Sequence, residues 1–255
     1  TDGFYKIFMN AKRFEEVKIQ YLNSRKERYG IGTLQEKTVH AILKNYYAPD
    51  TDMHEIPING YVADIYTGTE IFEIQTANFN KMREKLTCFL EQYPVMIVYP
   101  IPKVKWLCWI DEETGECSPP RKSPAKGTVY KAFFELYKIK SFLQNPNLKL
   151  CFPLLEIEEY RLLNGWSKDK KKGSCRYDRI PLKLVEEVRF ERVEDYLQLV
   201  PYDLKEPFTV AEFAKAVKER KEVAGVVLRI LNYLHVIERC ENRGKAYTYR
   251  VVDNR

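Results

Sequence analysis

The sequence predicts a mixed α/β fold, a sheet flanked by helices, followed by a small C-terminal domain of two helices and a hairpin. Three observations predict it. Apolar residues recur at helical spacing before and after extended stretches at 53–67 and 70–76 that are rich in Ile, Val, Tyr and Thr. The run VMIVYPI at 95–101 has no polar interruption, as a strand buried on both faces requires. Residues 207–252 read as helix, helix, hairpin, with two glycine-punctuated short strands at the end.

Bulk composition agrees with a folded protein. Of 255 residues, 45% are hydrophobic and 31% charged, a balance that excludes extended disorder. No apolar run approaches the roughly 18–20 residues that span a bilayer, so no membrane association is expected. The first residues lack the basic, apolar and small-residue succession of a secretory signal. The six cysteines form no C-x-x-C pair, which predicts buried thiols in a reducing, cytoplasmic setting rather than a structural zinc. Net charge is +6 and unevenly placed: residues 1–100 hold 12 basic against 13 acidic side chains, while 165–183 hold seven against two. A basic rear half points to a polyanionic partner.

The elements follow in order. Residues 10–29 form a highly charged helix, part of an N-terminal extension over 1–32 that the Gly30-Ile31-Gly32 break ends. A helix from Thr33 to Tyr47 is stopped by Pro49. Strands are expected at 53–60, 61–67 and 70–76. Asn78 then caps a helix to about Tyr93, with Phe79, Met82, Leu86, Phe89 and Leu90 on one face and Pro94 closing it. After 95–101 come KWLCWID with a turn at Glu113-Thr114-Gly115, a helix over 127–144, and the strand LKLCFPLLEIEEYRL. The polar, glycine-flanked stretch 165–179 reads as an exposed loop. The predicted division is an α/β domain over 33–162, a basic loop and linker over 163–200, and the C-terminal domain over 201–255.

The segment YVADIYTGTEIFEIQT, residues 61–76, carries the chemistry. Gly68-Thr69 suits a two-residue turn with glycine first. If those two residues are the loop, 67 faces 70 and Asp64 lies opposite Glu73, with opposed Cβ atoms about 4.5–5.5 Å apart. Val62, Asp64 and Tyr66 then share a face with Ile71, Glu73 and Gln75, and the other face, with Ala63, Ile65, Phe72 and Ile74, is core. Two facing carboxylates repel, and a hard divalent cation with oxygen ligands relieves the conflict.

Asp64, followed after eight residues by Glu73-Ile74-Gln75, resembles the D-x(n)-(D/E)-x-K signature of the PD-(D/E)XK nucleases. The element order over 33–101 resembles their restriction-endonuclease-like αβββαβ core. The resemblance implies that Asp64, Glu73 and the backbone carbonyl of Ile74 hold Mg²⁺ or Mn²⁺. It also implies that Gln75 stands in the catalytic lysine position and that Glu36 matches the acidic residue of the first helix. Glutamine brings no positive charge, so the departure bears on activity rather than fold. Expected nucleic-acid contacts are Arg121, Lys122 and Lys126 ahead of a helix, and Lys168, Lys170, Lys171, Lys172 and Arg176 in the basic loop. Glu156, Glu158 and Glu159 are expected at the surface or in internal pairs.

In the C-terminal domain, Thr209 and Glu212 have capping-box spacing. The helix–helix–hairpin order resembles a winged helix-turn-helix, with Arg243 and Lys245 at the wing tip as phosphate contacts. The expected function is metal-dependent hydrolysis of phosphodiester bonds in nucleic acid, DNA in the first instance. Two alternatives stay open: a catalytically inactive nucleic-acid-binding or regulatory protein on the same fold, and an assembly component, such as a homodimer, joined through the winged helix.

Overall fold

A computed structural model describes residues 10–28, 38–164 and 173–252. In chain order its elements are α1 (Ala11–Arg28), α2 (Thr38–Tyr47), β1 (His54–Ile58), β2 (Tyr61–Tyr66), β3 (Ile71–Ile74) and α3 (Arg83–Leu90). Then follow β4 (Val95–Val98), β5 (Ile101–Ile110), β6 (Arg121–Lys122), α4 (Val129–Leu136), β7 (Leu148–Leu162) and β8 (Cys175–Phe190). The last elements are β9 (Phe208–Thr209), α5 (Val210–Ala216), α6 (Lys221–Tyr233), β10 (Ile237–Arg243) and β11 (Ala246–Val251). The protein is mixed α/β, with a sheet of parallel and antiparallel strands flanked by helices.

The chain forms two compact units that interleave along the sequence, whereas the sequence reading divides it consecutively. One is built from the stretches up to Ile56, Pro100–Gly127 and Pro153–Glu187; the other comprises Pro57–Tyr99, Thr128–Phe152 and the stretch from Val188 on. Strand β7 contributes its first residues to the second unit and its remainder to the first.

In the first unit β5 runs parallel to β7, from Ile101 opposite Leu154 to Ile110 opposite Leu162. Antiparallel β6 edges β5, and β8 pairs with β7. Helices α1 and α2 pack through Phe14, fully buried and edge-on to Tyr46 at 5.5 Å. Gly127 donates its N–H to the Pro102 carbonyl, and a Cβ there would come within 2.7 Å of both Ile101 Cγ2 and that carbonyl oxygen. Only glycine permits so close an approach.

In the second unit the strand order is β2-β3-β4-β7, with β3–β4 and β4–β7 parallel. The turn into β2 is Asn59-Gly60, both at positive φ (50° and 84°), a two-residue loop that fits the strand twist. Phe79, Leu86, Phe89, Phe133, Leu136 and Phe152 fill the core. The C-terminal part has its own three-stranded antiparallel sheet, β10-β11-β9, under α5 and α6. The Thr209–Glu212 capping box is present: the Glu212 N–H donates to Thr209 Oγ1, and the Thr209 N–H to Glu212 Oε2.

Several elements differ from expectation. The run 95–101 is two strands, because Pro100 has no N–H for a ladder. The helix expected over 127–144 is α4 followed by a 3₁₀ stretch, Tyr137–Phe142, with non-helical angles at Ile139. The stretch 163–200, expected as a basic loop and linker, contains the 16-residue β8. Arg176, Asp178 and Arg179 hid the pattern: both arginines face the buried Glu159 and Asp178 accepts from the Thr38 hydroxyl, so polarity there does not signal a solvated loop. Of the six cysteines, Cys108 and Cys151 are buried and the other four are not.

Candidate functional site

The hairpin β2–β3 lies wholly in the second unit. Gly68 has φ +91°, and the Thr67 N–H donates to the Glu70 carbonyl at 3.0 Å, closing a two-residue loop. Backbone pairing sets Tyr66 opposite Ile71 and Ile65 opposite Phe72, and stops there. One rung further, side chains replace the ladder. The Ile74 N–H donates to Asp64 Oδ2 at 2.7 Å, and the Asp64 N–H to Glu73 Oε1 at 3.3 Å. The two carboxylates therefore meet where the strands stop pairing.

The face that carries them is more covered than expected. Ile71 is fully buried and Glu73 is 5% exposed, while Ala63, Ile65 and Ile74 are buried on the opposite face. A central strand with a parallel neighbour is roofed on both sides. Over Glu73 the roof is α3, and it supplies a cation: Lys85 Nζ donates to Glu73 Oε2 at 2.6 Å. Burial, and then the charge of Asp64, push the Glu73 carboxyl up to about 7 against the pull of Lys85. Two acids and one ammonium leave a net negative centre when both acids are ionised, and the lone pairs of two carboxylates suit a hard divalent ion.

Gln75 follows β3, half-buried, its N–H donating to the Val98 carbonyl at 2.9 Å. In an extended strand a residue's N–H and C=O share an edge, which puts the Ile74 carbonyl on the Asp64 side. Lys85 is the residue that sequence reading missed. The helix after the EIQ triplet carries Lys81, Arg83 and Lys85 alike. The one local hint is that Lys85 stands four positions before buried Phe89 and so borders the apolar stripe; its ammonium sits 5.6 Å from that ring.

The expected nucleic-acid contacts disperse. Glu36, Lys168, Lys170, Lys171 and Lys172 lie outside the described residues. Arg121 and Lys122 are not in a loop: they form edge strand β6, opposite Leu107 and Trp106, with Lys122 Nζ 5.6 Å from the Trp106 ring. Lys126 is exposed. Lys245 is exposed at the β10–β11 tip beside Gly244, whose φ is +63°. Arg243 is held instead of presented: its guanidinium donates to Glu212 Oε1 at 2.7 Å and to the Pro207 carbonyl.

Arg176 belongs to a second charged centre, in the first unit. Glu159, 1% exposed, faces Arg161 at 2.8 Å, Arg179 at 2.9 Å, Arg176 at 3.5 Å and Lys105 at 3.8 Å. Burial alone would raise Glu159, but Arg179, Lys105 and Arg161 hold it below the usual carboxylate range. Four cations around one carboxylate leave a surplus of positive charge on strands β5, β7 and β8. Glu156 and Glu158 accept bonds from Trp106 Nε1 (2.6 Å) and the Tyr160 hydroxyl (2.7 Å), so the acidic cluster is paired internally.

Among the described residues no helix is long and apolar enough to cross a membrane. A family model described as Domain of unknown function (DUF8091) matches residues 37–191. The match takes in the carboxylate hairpin, Lys85 and the Glu159 centre. An uncharacterized protein of Treponema pallidum (strain Nichols) is 27% identical over 148 residues, covering 58% of this chain and 56% of that protein. The chain thus spans little more than half the length of that curated relative. No solved structure matches.

Proposed function

The chain belongs to the DUF8091 family, and from that premise we propose that it is a divalent-metal-dependent phosphodiesterase acting on nucleic acid, DNA in the first instance. The observation that carries the reading is the meeting of Asp64 and Glu73 at the end of the β2–β3 ladder, with Lys85 Nζ 2.6 Å from Glu73. Further support comes from the order α2, β1, β2, β3, α3, β4, which fits a restriction-endonuclease-like core. The succession β9, α5, α6, β10, β11 fits a winged helix.

Asp64, Glu73 and the Ile74 carbonyl would hold Mg²⁺ or Mn²⁺. The ion's contribution would be to polarise the scissile phosphate and lower the pKa of a bound water. The protein's own residues do the remaining work. Lys85 supplies the positive charge that Gln75 lacks: it opposes the upward push of burial and Asp64 on the Glu73 carboxyl and stands ready to stabilise charge that develops beside it. Gln75 can orient a water or a phosphate oxygen through its amide. The surplus cations around Glu159, together with Lys122, Lys126 and Lys245, supply salt-sensitive affinity for phosphates and little sequence choice.

A second reading is favoured by one contact. The Lys85–Glu73 pair already neutralises one acid, so the fold can persist without a cation as a binding protein. Incubation of plasmid DNA with Mg²⁺ or Mn²⁺ separates the two. The nuclease reading expects nicking that EDTA, Asp64→Ala, Glu73→Ala and Lys85→Ala each abolish. Equal nicking by wild type and all variants overturns it. Salt-sensitive binding without nicking under either metal supports the silent protein.

A further inference from the structure

The C-terminal part of the second unit contains a concavity of about 640 Å³, within the range of ligand clefts. Its walls come from four places in the sequence: the 3₁₀ stretch after α4, Val210 at the start of α5, one stripe of α6, and the final hairpin. Lys140, Lys221, Arg229 and Arg239 converge on it, and no carboxylate is among its lining residues. Several buried or half-buried cations elsewhere are matched to acids, as Lys85 is to Glu73 and Arg179 to Glu159. These four are ion-paired to no carboxylate among the described residues. Gathering four like charges around a cleft is unfavourable alone and focuses a positive potential into it.

The remaining lining is aromatic. Tyr137 and Tyr247 are 44% and 48% exposed, and Tyr233 and Tyr249 complete the wall. Two of the cations already use these rings: Lys140 Nζ lies 4.2 Å from the Tyr233 centroid and the Arg239 guanidinium 3.1 Å from that of Tyr247. A ligand that is anionic at one end and planar at the other satisfies both components at once.

We propose that this groove binds a single-stranded segment of nucleic acid, with phosphates against the four cations and unstacked bases against the exposed tyrosines. Duplex recognition by α6 is disfavoured by burial. Val223, Ala224, Val226, Val227, Leu228, Ile230 and Leu231 are all buried, leaving open only Lys221 and Glu222 in the first turn and a narrow stripe at Gly225, Arg229, Asn232 and Tyr233. A helix that reads the major groove must project a broad free face into it. Here α4, α5 and the hairpin occupy the flanks of α6. The inference deepens the nuclease reading by naming how a strand is held, and rests on that reading for the identity of the polyanion.

The test measures binding of the full chain to a labelled oligothymidylate and to a duplex of equal length, in EDTA so that binding and cleavage are read separately. The single strand should bind more tightly, with affinity falling as salt rises. Gly225→Leu adds bulk to the groove without changing charge; at Gly225 a Cβ meets only ordinary contacts, 3.9 Å to Arg229 and 4.0 Å to Val210. It should weaken binding about tenfold, as should Tyr247→Leu on the exposed rim. Arg229→Ala should reduce the salt slope by about one. Tighter duplex binding, equal competition by polyglutamate, or unchanged affinity in a folded Gly225→Leu or Tyr247→Leu variant would overturn the proposal. Lost cleavage with intact strand binding would count against the nuclease reading alone, and intact cleavage with no strand binding against the groove alone.

Discussion

Replacing Lys85 with methionine keeps the length of the side chain and removes the ammonium that lies 2.6 Å from Glu73. Breaking a buried ion pair ordinarily costs about 3–5 kcal/mol, because a charge is left uncompensated. Glu73 has an escape. Its carboxyl is already pushed up to about 7, so near neutrality it sheds its charge by taking a proton. The ionisation energy that Lys85 protects is then small near neutrality and grows above it, by at most about 1.4 kcal/mol for each further pH unit. The sign follows from the raised value. Between its ordinary value of 4.5 and about 7 the folded state holds a proton that the unfolded state has lost. Wild-type stability therefore falls by about 3 kcal/mol through that window and loses no more to Glu73 above it. In Lys85→Met the carboxyl rises further, so the loss continues to higher pH. Urea unfolding of both proteins in EDTA, from about pH 6 to about pH 9, should show a gap that widens with pH by up to about 1.4 kcal/mol per unit. A gap that is constant, or largest at low pH, would refute the assignment of Lys85 as the counter-ion of a readily protonated Glu73.

Three further perturbations test the packing around the proposed sites. Gly127→Ala places a methyl 2.7 Å from Ile101 Cγ2 and the Pro102 oxygen and should cost about 1–3 kcal/mol in chemical denaturation. Glu159→Gln leaves Lys105, Arg161, Arg176 and Arg179 facing one another without an anion; it should cost about 3 kcal/mol, partly restored by added sulfate in a thermal melt. Thr209→Ala removes the hydroxyl that accepts the Glu212 N–H and should lower unfolding stability by about 1 kcal/mol, without altering the plasmid nicking that the proposed nuclease reading expects.

Local chemistry determined what the sequence could show by itself. The Gly68 turn aligns strands only a few residues away, so the placing of Asp64 beyond Ile65 and of Glu73 beyond Phe72 follows from counting. The Thr209–Glu212 cap closes within one helical turn, and the apolar run 95–101 announces buried strands wherever its neighbours lie. Each of these depends on residues no more than about ten positions apart, where periodicity and turn geometry govern. Tertiary structure alone decided the rest. Lys85 reaches Glu73 because α3 folds back over β3, and within the run Lys81, Arg83, Lys85 only its spacing to Phe89 hints at that role. Strand β8 looked like a loop because its arginines answer a glutamate on another strand. The tyrosine groove unites Tyr137, Arg229 and Tyr247, which no short-range pattern connects. Charge and aromaticity in a sequence show what a side chain can do; which partner it meets is set by packing between segments far apart in the chain.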